Sequence, residues 1–347
     1  MAQASAQAAR RRWTYAPLAI IVLLALAWSA FWFYAVNRAE ATLAAWMERQ
    51  AAAGRLFACE GRTIGGFPFR IELRCARPRA EVQAGDRTVV LEATSLFAAA
   101  EVFQPDLVVV ELTGPMTIAT GRGGAPLTAD WRLLQASLRG FLRGFERLSV
   151  SINEPALRTA RAAGAAPLVQ ARHVEAHARL RPGSADAQPV FDLVARAEAA
   201  VVAGAAALAQ KPFDAEAEAV VHGVRDLSPV PLATRLRQWQ ADGGRLEIVK
   251  ARVAQGEIVA VAKGELGLTP QARLDGGLQV TLAGLAEIGG WLFGQDSQAQ
   301  ASMLNGLAIL AGRAELEGKP AVVVPLRFRD GAVFFGPLPL GQTPPLY

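Results

Sequence analysis

The sequence predicts a mainly β protein with helical additions: an N-terminal transmembrane helix, then a large curved antiparallel sheet with one or two covering helices. Three observations point there. Residues 17–36 are an unbroken apolar run without a charge. From about residue 80 onward apolar side chains recur with a period of two, the mark of a strand with one buried face. Short turn signals separate these runs, as they do where strands join in an antiparallel sheet. Hydrophobic content is 52% over 347 residues, enough for a sizeable core. No break in composition marks a domain boundary, and the strand-pair pattern has no fixed repeat length.

The elements follow in order. The run at 17–36, PLAIIVLLALAWSAFWFYAV, has the twenty residues a helix needs to cross a bilayer core. Arg10, Arg11 and Arg12 precede it, so the positive-inside bias keeps the first residues in the cytoplasm and exports the rest. Trp13 and Tyr15 stand at one boundary and Trp32 and Tyr34 near the other, where interfacial aromatics gather. A cleaved signal peptide would have a shorter apolar region followed by a small-x-small site; here the run ends on Phe31, Trp32, Phe33 and Tyr34. Residues 38–53 keep helix-forming composition, with Leu43, Trp46 and Met47 on one side and Gly54 as the stop.

The two cysteines, Cys59 and Cys75, fall on the exported side, where disulfides persist. Between them Gly65 and Gly66 allow a turn, and Phe69, Ile71, Leu73 and Cys75 alternate with Arg70, Glu72 and Arg74 as a strand. A bridge closing this loop would stabilise by about 3 kcal/mol. A pair of reduced thiols and a metal or redox pair are the rival readings. The latter has little support, because the spacing is not C-x-x-C and no histidine lies near.

Further strands are expected at Leu148, Val150 and Ile152; at Val174, Ala176, Ala178 and Leu180; and at Ile258, Ala260, Ala262, Gly264, Leu266 and Leu268. Thr269, Pro270 and Gln271 turn the chain into Leu274, Gly276, Leu278, Val280 and Leu282. Asp330-Gly331 predicts a hairpin near the end. Residues 231–241 and 286–315 read as helices, and 204–211 is ambiguous.

The anchor, Cys59-x-Gly61, Gly66-Phe67-Pro68-Phe69-Arg70, Cys75, and the closing Leu326-Arg327, Asp330-Gly331 and Gly336-Pro337-Leu338-Pro339-Leu340 together resemble the bacterial family called domain of unknown function 2125. The resemblance spans nearly the whole chain. It implies an envelope protein held in the inner membrane and brings no catalytic residues. In strand rhythm alone the chain is similar to AsmA-like periplasmic proteins, associated with outer-membrane biogenesis and lipid passage. The expected organisation is a cytoplasmic tail at 1–15, a transmembrane helix at 16–36, a helical extension at 37–54 and a periplasmic β-rich domain at 55–347.

Candidate chemistry is sparse. His173, Glu175 and His177 share one side of a strand, but the zincin pattern needs H-E-x-x-H on a helix; a solvated strand face is expected and no metal. His222 follows a Val pair and precedes Gly223, and no function is expected of it. No G-x-S-x-G elbow appears, and GRGGAP at 121–126 lacks the ending of a phosphate loop. Glu216 and Glu218 lie on a polar strand face. No catalytic residue and no cofactor are expected. The net charge of +5 is modest, and basic residues alternate with acids, which argues against nucleic acid. Only 4 of the 36 basic residues are Lys, which points to a GC-rich genome.

An apolar sheet face must be covered by something. Two readings compete: a solid core under the helices at 231–241 and 286–315, or an open face that holds a lipid or acyl chain. The face chosen for such a ligand is Ile258, Leu266, Leu268, Leu278, Val280 and Leu282. The expected partners are the bilayer through residues 16–36, a lipid or acyl chain, and an envelope protein. The alternatives are a docking scaffold of the cell envelope with a solid core and, least favoured, an envelope hydrolase.

Overall fold

A computed structural model of the chain describes residues 2–84, 87–121, 124–140, 144–160, 166–184, 188–203, 211–225, 227, 230–285, 287 and 311–347. Helix α1 (Ala2–Ala52) opens it. The stretch Tyr15–Ala52 is long and apolar enough to cross a membrane. It ends as expected: Gly54 takes φ +75°, a left-handed conformation that glycine adopts freely and that stops helices.

The strands come next. They are β1 (Arg55–Gly65), β2 (Arg70–Ala84), β3 (Arg87–Glu101), β4 (Gln104–Thr120), β5 (Leu127–Asp130), β6 (Leu133–Arg139), β7 (Arg147–Asn153), β8 (Ala156–Thr159), β9 (Val169–Gln170), β10 (His173–Leu180), β11 (Val190–Val202) and β12 (Phe213–His222). Helix α2 (Leu232–Ala241) intervenes, followed by β13 (Arg245–Gln255), β14 (Ile258–Leu268), β15 (Leu274–Ala283), β16 (Gly312–Leu316), β17 (Lys319–Arg329), β18 (Ala332–Phe335) and β19 (Leu338–Gln342). All join one antiparallel sheet. It is largely a meander, in which successive strands are neighbours in space, except that β15 pairs with β17, whose other side carries β16 and β18. In the middle, β5 with β6, β7 with β8, and β9 with β10 act as broken single strands, each pair split by a short kink.

The expected strands at 148–152, 174–180, 258–268 and 274–282 all form, and Asp330 (φ +48°) with Gly331 (φ +81°) makes the tight hairpin between β17 and β18. Helix α2 matches residues 231–241 but has no buried residue. The Trp239 Nε1–H donates to the His222 carbonyl at 2.6 Å, which ties α2 to the end of β12. Most of the helical stretch expected at 286–315 lies outside the described residues, as does most of 204–211. Its described end is a correction: 312–316 is strand β16, paired with β17. Arg313 and Glu315 alternate there with Ala314 and Leu316, and Glu317-Gly318 turns the chain, so the period is two and not 3.6.

Register decides the character of the sheet. Residues directly opposite across an antiparallel pair point to the same face. Leu73 faces Ala98, which faces Val110, then Ala136, Val150 and Ala176. The line continues through Ala195, Ala217, Ala251, Ala262, Val280 and Val324. A second apolar row runs beside it from Ile71 through Leu138, Leu193, Ile248 and Leu278 to Phe335. A third runs from Cys75 through Leu112, Ile152, Val253 and Leu282 to Val322. One apolar face thus crosses the sheet from β2 to β17.

This face is not packed like a solid core. Of the twelve residues in the first row only Val324 is buried, and Ala176, Ala195 and Ala217 are exposed. Among the described residues no large side chain is fully buried, and the tightest apolar cluster is only Val259, Ala283 and Ala321. The chain exposes 21384 Å², where a compact globule of this length would expose about 14,000 Å²; the protruding α1 accounts for part of the excess.

A candidate apolar groove at the helix exit

The second half of α1 lies along one end of the apolar face. Phe31, Ala35, Ala39, Leu43 and Met47 recur every four residues and so form one stripe on the helix. Opposite them stand alternate residues of three strands, among them Ile71 and Leu73 on β2, Leu96 and Ala98 on β3, and Val108 and Val110 on β4. Helix and sheet enclose a cavity of about 900 Å³. That is within the size range of ligand sites, and the lining is overwhelmingly hydrocarbon. Small alanines on β3 leave the space that larger residues would fill. Arg38, Arg62 and Arg79 are the cations of the lining. Glu81, hydrogen-bonded to Arg79, raises the pKa of that guanidinium and keeps it charged.

The groove is held at both ends. Trp46 packs on Phe57 with centroids 4.9 Å apart, and the Arg55 Nε–H donates to Gln50 Oε1 at 2.7 Å. At the other end, the Trp28 indole N–H donates to the Pro68 carbonyl and the Trp32 indole N–H to the Arg70 carbonyl, each at 2.9 Å. Strand β1 folds back along α1: 11 residues of strand cover about 36 Å, as do residues 28–52 of the helix.

This places the motif Gly66, Phe67, Pro68, Phe69 and Arg70. It is the turn between β1 and β2, seated on Trp28 and Trp32. Gly66 takes φ +97°, and a Cβ there would meet the Arg70 carbonyl oxygen at 2.7 Å, so only glycine fits. The Arg70 N–H donates to the Gly66 carbonyl at 2.9 Å and closes the turn. The sulfurs of Cys59 and Cys75 are 2.10 Å apart, a disulfide distance, and join β1 to β2 in the groove lining.

The face chosen from sequence, Ile258, Leu266, Leu268, Leu278, Val280 and Leu282, does not line this groove. Its residues are half-buried on β14 and β15. Leu278, Val280 and Leu282 nonetheless belong to the same three rows as Ile71, Leu73 and Cys75, at the far side of the sheet. Leu43 and Met47 on α1 and Ile71, Leu73 and Cys75 on β2 were read as one-sided, but not as parts of one groove with β3 and β4. The signal of the groove was present in the four-residue spacing on α1 and in the period-two apolar faces of residues 89–112.

The opposite face is polar. Glu175 faces Arg196, Arg196 faces Glu216, and Glu216 faces Arg252. Glu175 accepts from Arg196 Nη1 at 2.9 Å, and Glu216 from Lys250 Nζ at 3.0 Å. Arg252 grips Glu317 with two bonds, at 2.7 and 2.8 Å. Arg196 holds the Glu175 carboxyl below its usual range, Lys250 and then Arg196 do so for Glu216, and Arg252 for Glu317. His173 and His177 flank Glu175 at 3.9 and 3.6 Å, but Asn153 engages His173 at 2.7 Å and Arg196 engages Glu175. Among the described residues no cluster has the geometry to hold a metal ion. His222 stands 3.7 Å from Glu247, and Glu218 lies across from Lys250 without forming a carboxylate pair with Glu216. Part of the loop at 121–126 lies outside the described residues.

The family described as "Uncharacterized protein conserved in bacteria (DUF2125)" matches residues 32–344. No curated protein and no solved structure matches the chain.

Proposed function

This chain belongs to the DUF2125 family of bacterial proteins, and on that premise we propose that it is an inner-membrane-anchored, periplasmic binding protein that takes a lipid acyl chain into the groove between α1 and β2 to β4. The observation that supports this most is the 900 Å³ apolar cavity, which opens beside the helix where it would leave a bilayer and continues into the apolar rows of the sheet. An acyl chain leaving the membrane there would stay against hydrocarbon, and burying apolar surface is the main driving force for such a site. The nearby arginines suit an anionic headgroup. In this reading the protein is not an enzyme. It binds and presents a lipid during envelope biogenesis.

Lipids that co-purify with the detergent-solubilised full chain test this by mass spectrometry. The wild type is expected to retain phospholipid or a lipid precursor across several detergents. Ala98→Trp would fill the groove from β3 and is expected to remove most of that lipid while the far-UV circular dichroism stays unchanged. Absence of lipid from the wild type would favour a docking scaffold instead.

A further inference from the structure

The hairpin turns of the sheet end in rings that touch the apolar helix well inside its uncharged run. Trp28 stacks on Phe103 in the β3–β4 turn at 5.2 Å and meets Phe69 at 6.2 Å. Trp32 meets Phe67 edge-on at 5.3 Å. The Val102 N–H donates to the Phe69 carbonyl at 3.0 Å, which joins the two turns. Trp32 is 5% exposed, but Phe67, Phe69 and Phe103 keep 53%, 56% and 68% of their surface open. Trp28 lies eight residues short of Val36, the end of the uncharged run, or about 12 Å along the axis. Three open phenyl rings at that depth would stand beside lipid tails, not water.

A second feature lies at the same end of the sheet. Arg139 faces Arg147, and Arg147 faces Arg179, so three like charges are neighbours across β6, β7 and β10. Like charges placed opposite one another are unfavourable unless an anion lies between them. Among the described residues, Arg179 and Arg181 share Asp192 as a counter-ion. The four arginines line a cleft of about 610 Å³ together with the exposed Glu146, so positive charge prevails. Arg139 pairs with Leu107, four residues above Phe103, about 13 Å along the strand. The tier therefore stands roughly as far above the rings as Val36 stands above Trp28.

We propose that this edge of the sheet is itself a membrane-docking surface: Phe67, Phe69 and Phe103 enter the leaflet from which α1 emerges, and the Arg139–Arg147–Arg179 tier lies on its headgroup phosphates. The inference rests on the reading that α1 spans the bilayer, but not on the groove holding a lipid. It makes the groove mouth part of the membrane surface. Burial of aromatic rings and arginine–phosphate pairing is the same division of labour that holds interfacial segments on membranes.

Depth-resolved quenching tests it. The full chain is reconstituted in phosphatidylethanolamine–phosphatidylglycerol vesicles, with the native cysteine pair oxidised and one environment-sensitive maleimide fluorophore on Phe103→Cys, Arg147→Cys, Leu23→Cys or Ala160→Cys. Position 103 is expected to lose most of its emission to tail-attached nitroxide, as position 23 does. Position 147 should lose it to headgroup-attached nitroxide, and position 160, at the far end of the sheet, only to aqueous iodide. Loss at 23 together with iodide quenching at 103 would overturn the docking while leaving the anchor intact. Iodide quenching at 147 with 103 submerged would overturn the arginine contact. Iodide quenching at 23 would overturn the anchor and the docking with it.

Discussion

Trp32 shows how much one side chain settles. Its indole packs on Phe33 and Phe67, and its N–H reaches the Arg70 carbonyl, so a single residue fixes the turn of β1 and β2 against the helix. Trp32→Phe keeps an aromatic ring but strands that acceptor in a half-buried place. The expected loss is about 1–2 kcal/mol of stability, measured by denaturant unfolding of the detergent-solubilised protein; an unchanged midpoint would mean the contact does not hold the turn. The sequence shows Trp28 and Trp32 four apart on one helical face and a Gly-Phe-Pro-Phe-Arg turn 35 residues on. It does not show that they meet. Nothing local encodes the contact, which exists because β1 is long enough to return to the same height.

At the scale of elements, each strand's two faces were legible. Alternation at 148–152, 174–180 and 274–282 told apolar from polar, and the polar side became the ion-pair ladder of Glu175, Arg196, Glu216, Arg252 and Glu317. Its acid response follows from the pKa shifts. The carboxyls of Glu175, Glu216 and Glu317 are depressed by Arg196, Lys250 and Arg252 in turn. A depressed carboxylate stabilises the fold above its unfolded pKa and loses that contribution as pH falls through the folded value. The thermal midpoint is thus expected to stay level from pH 7 to about pH 5 and to fall below about pH 4. Because these pairs are partly exposed, the effect is modest. Glu216→Gln should lower the midpoint at pH 7 and flatten the acid drop, as read by circular dichroism melts across pH. The misread element, 312–316, failed for a different reason. The apolar stretch before it carries no strong period, and its five alternating residues are too few to outweigh that neighbourhood.

Among the described residues one sheet dominates the molecule, with one greasy and one charged side, a short helix α2 tied to it and an apolar helix joined at one edge. If that helix is an uncleaved anchor with the body exported, alkaline phosphatase fused after Tyr347 is active and green fluorescent protein at the same site is dark; the reverse pattern would place the body in the cytoplasm and remove the setting in which the Cys59–Cys75 bridge persists.

By itself the sequence determined the apolar helix, the strand periodicity, the cysteine pair and the turn residues, because each depends on a span of twenty residues or fewer. The tertiary structure alone decided that three apolar rows align from β2 to β17 and that α1 closes one end of them into a groove. Register is the reason. A slip of one residue at any of a dozen strand pairs would send the remaining side chains to the other face, and register is fixed by the fit of whole strands to their neighbours, which no single strand's sequence contains.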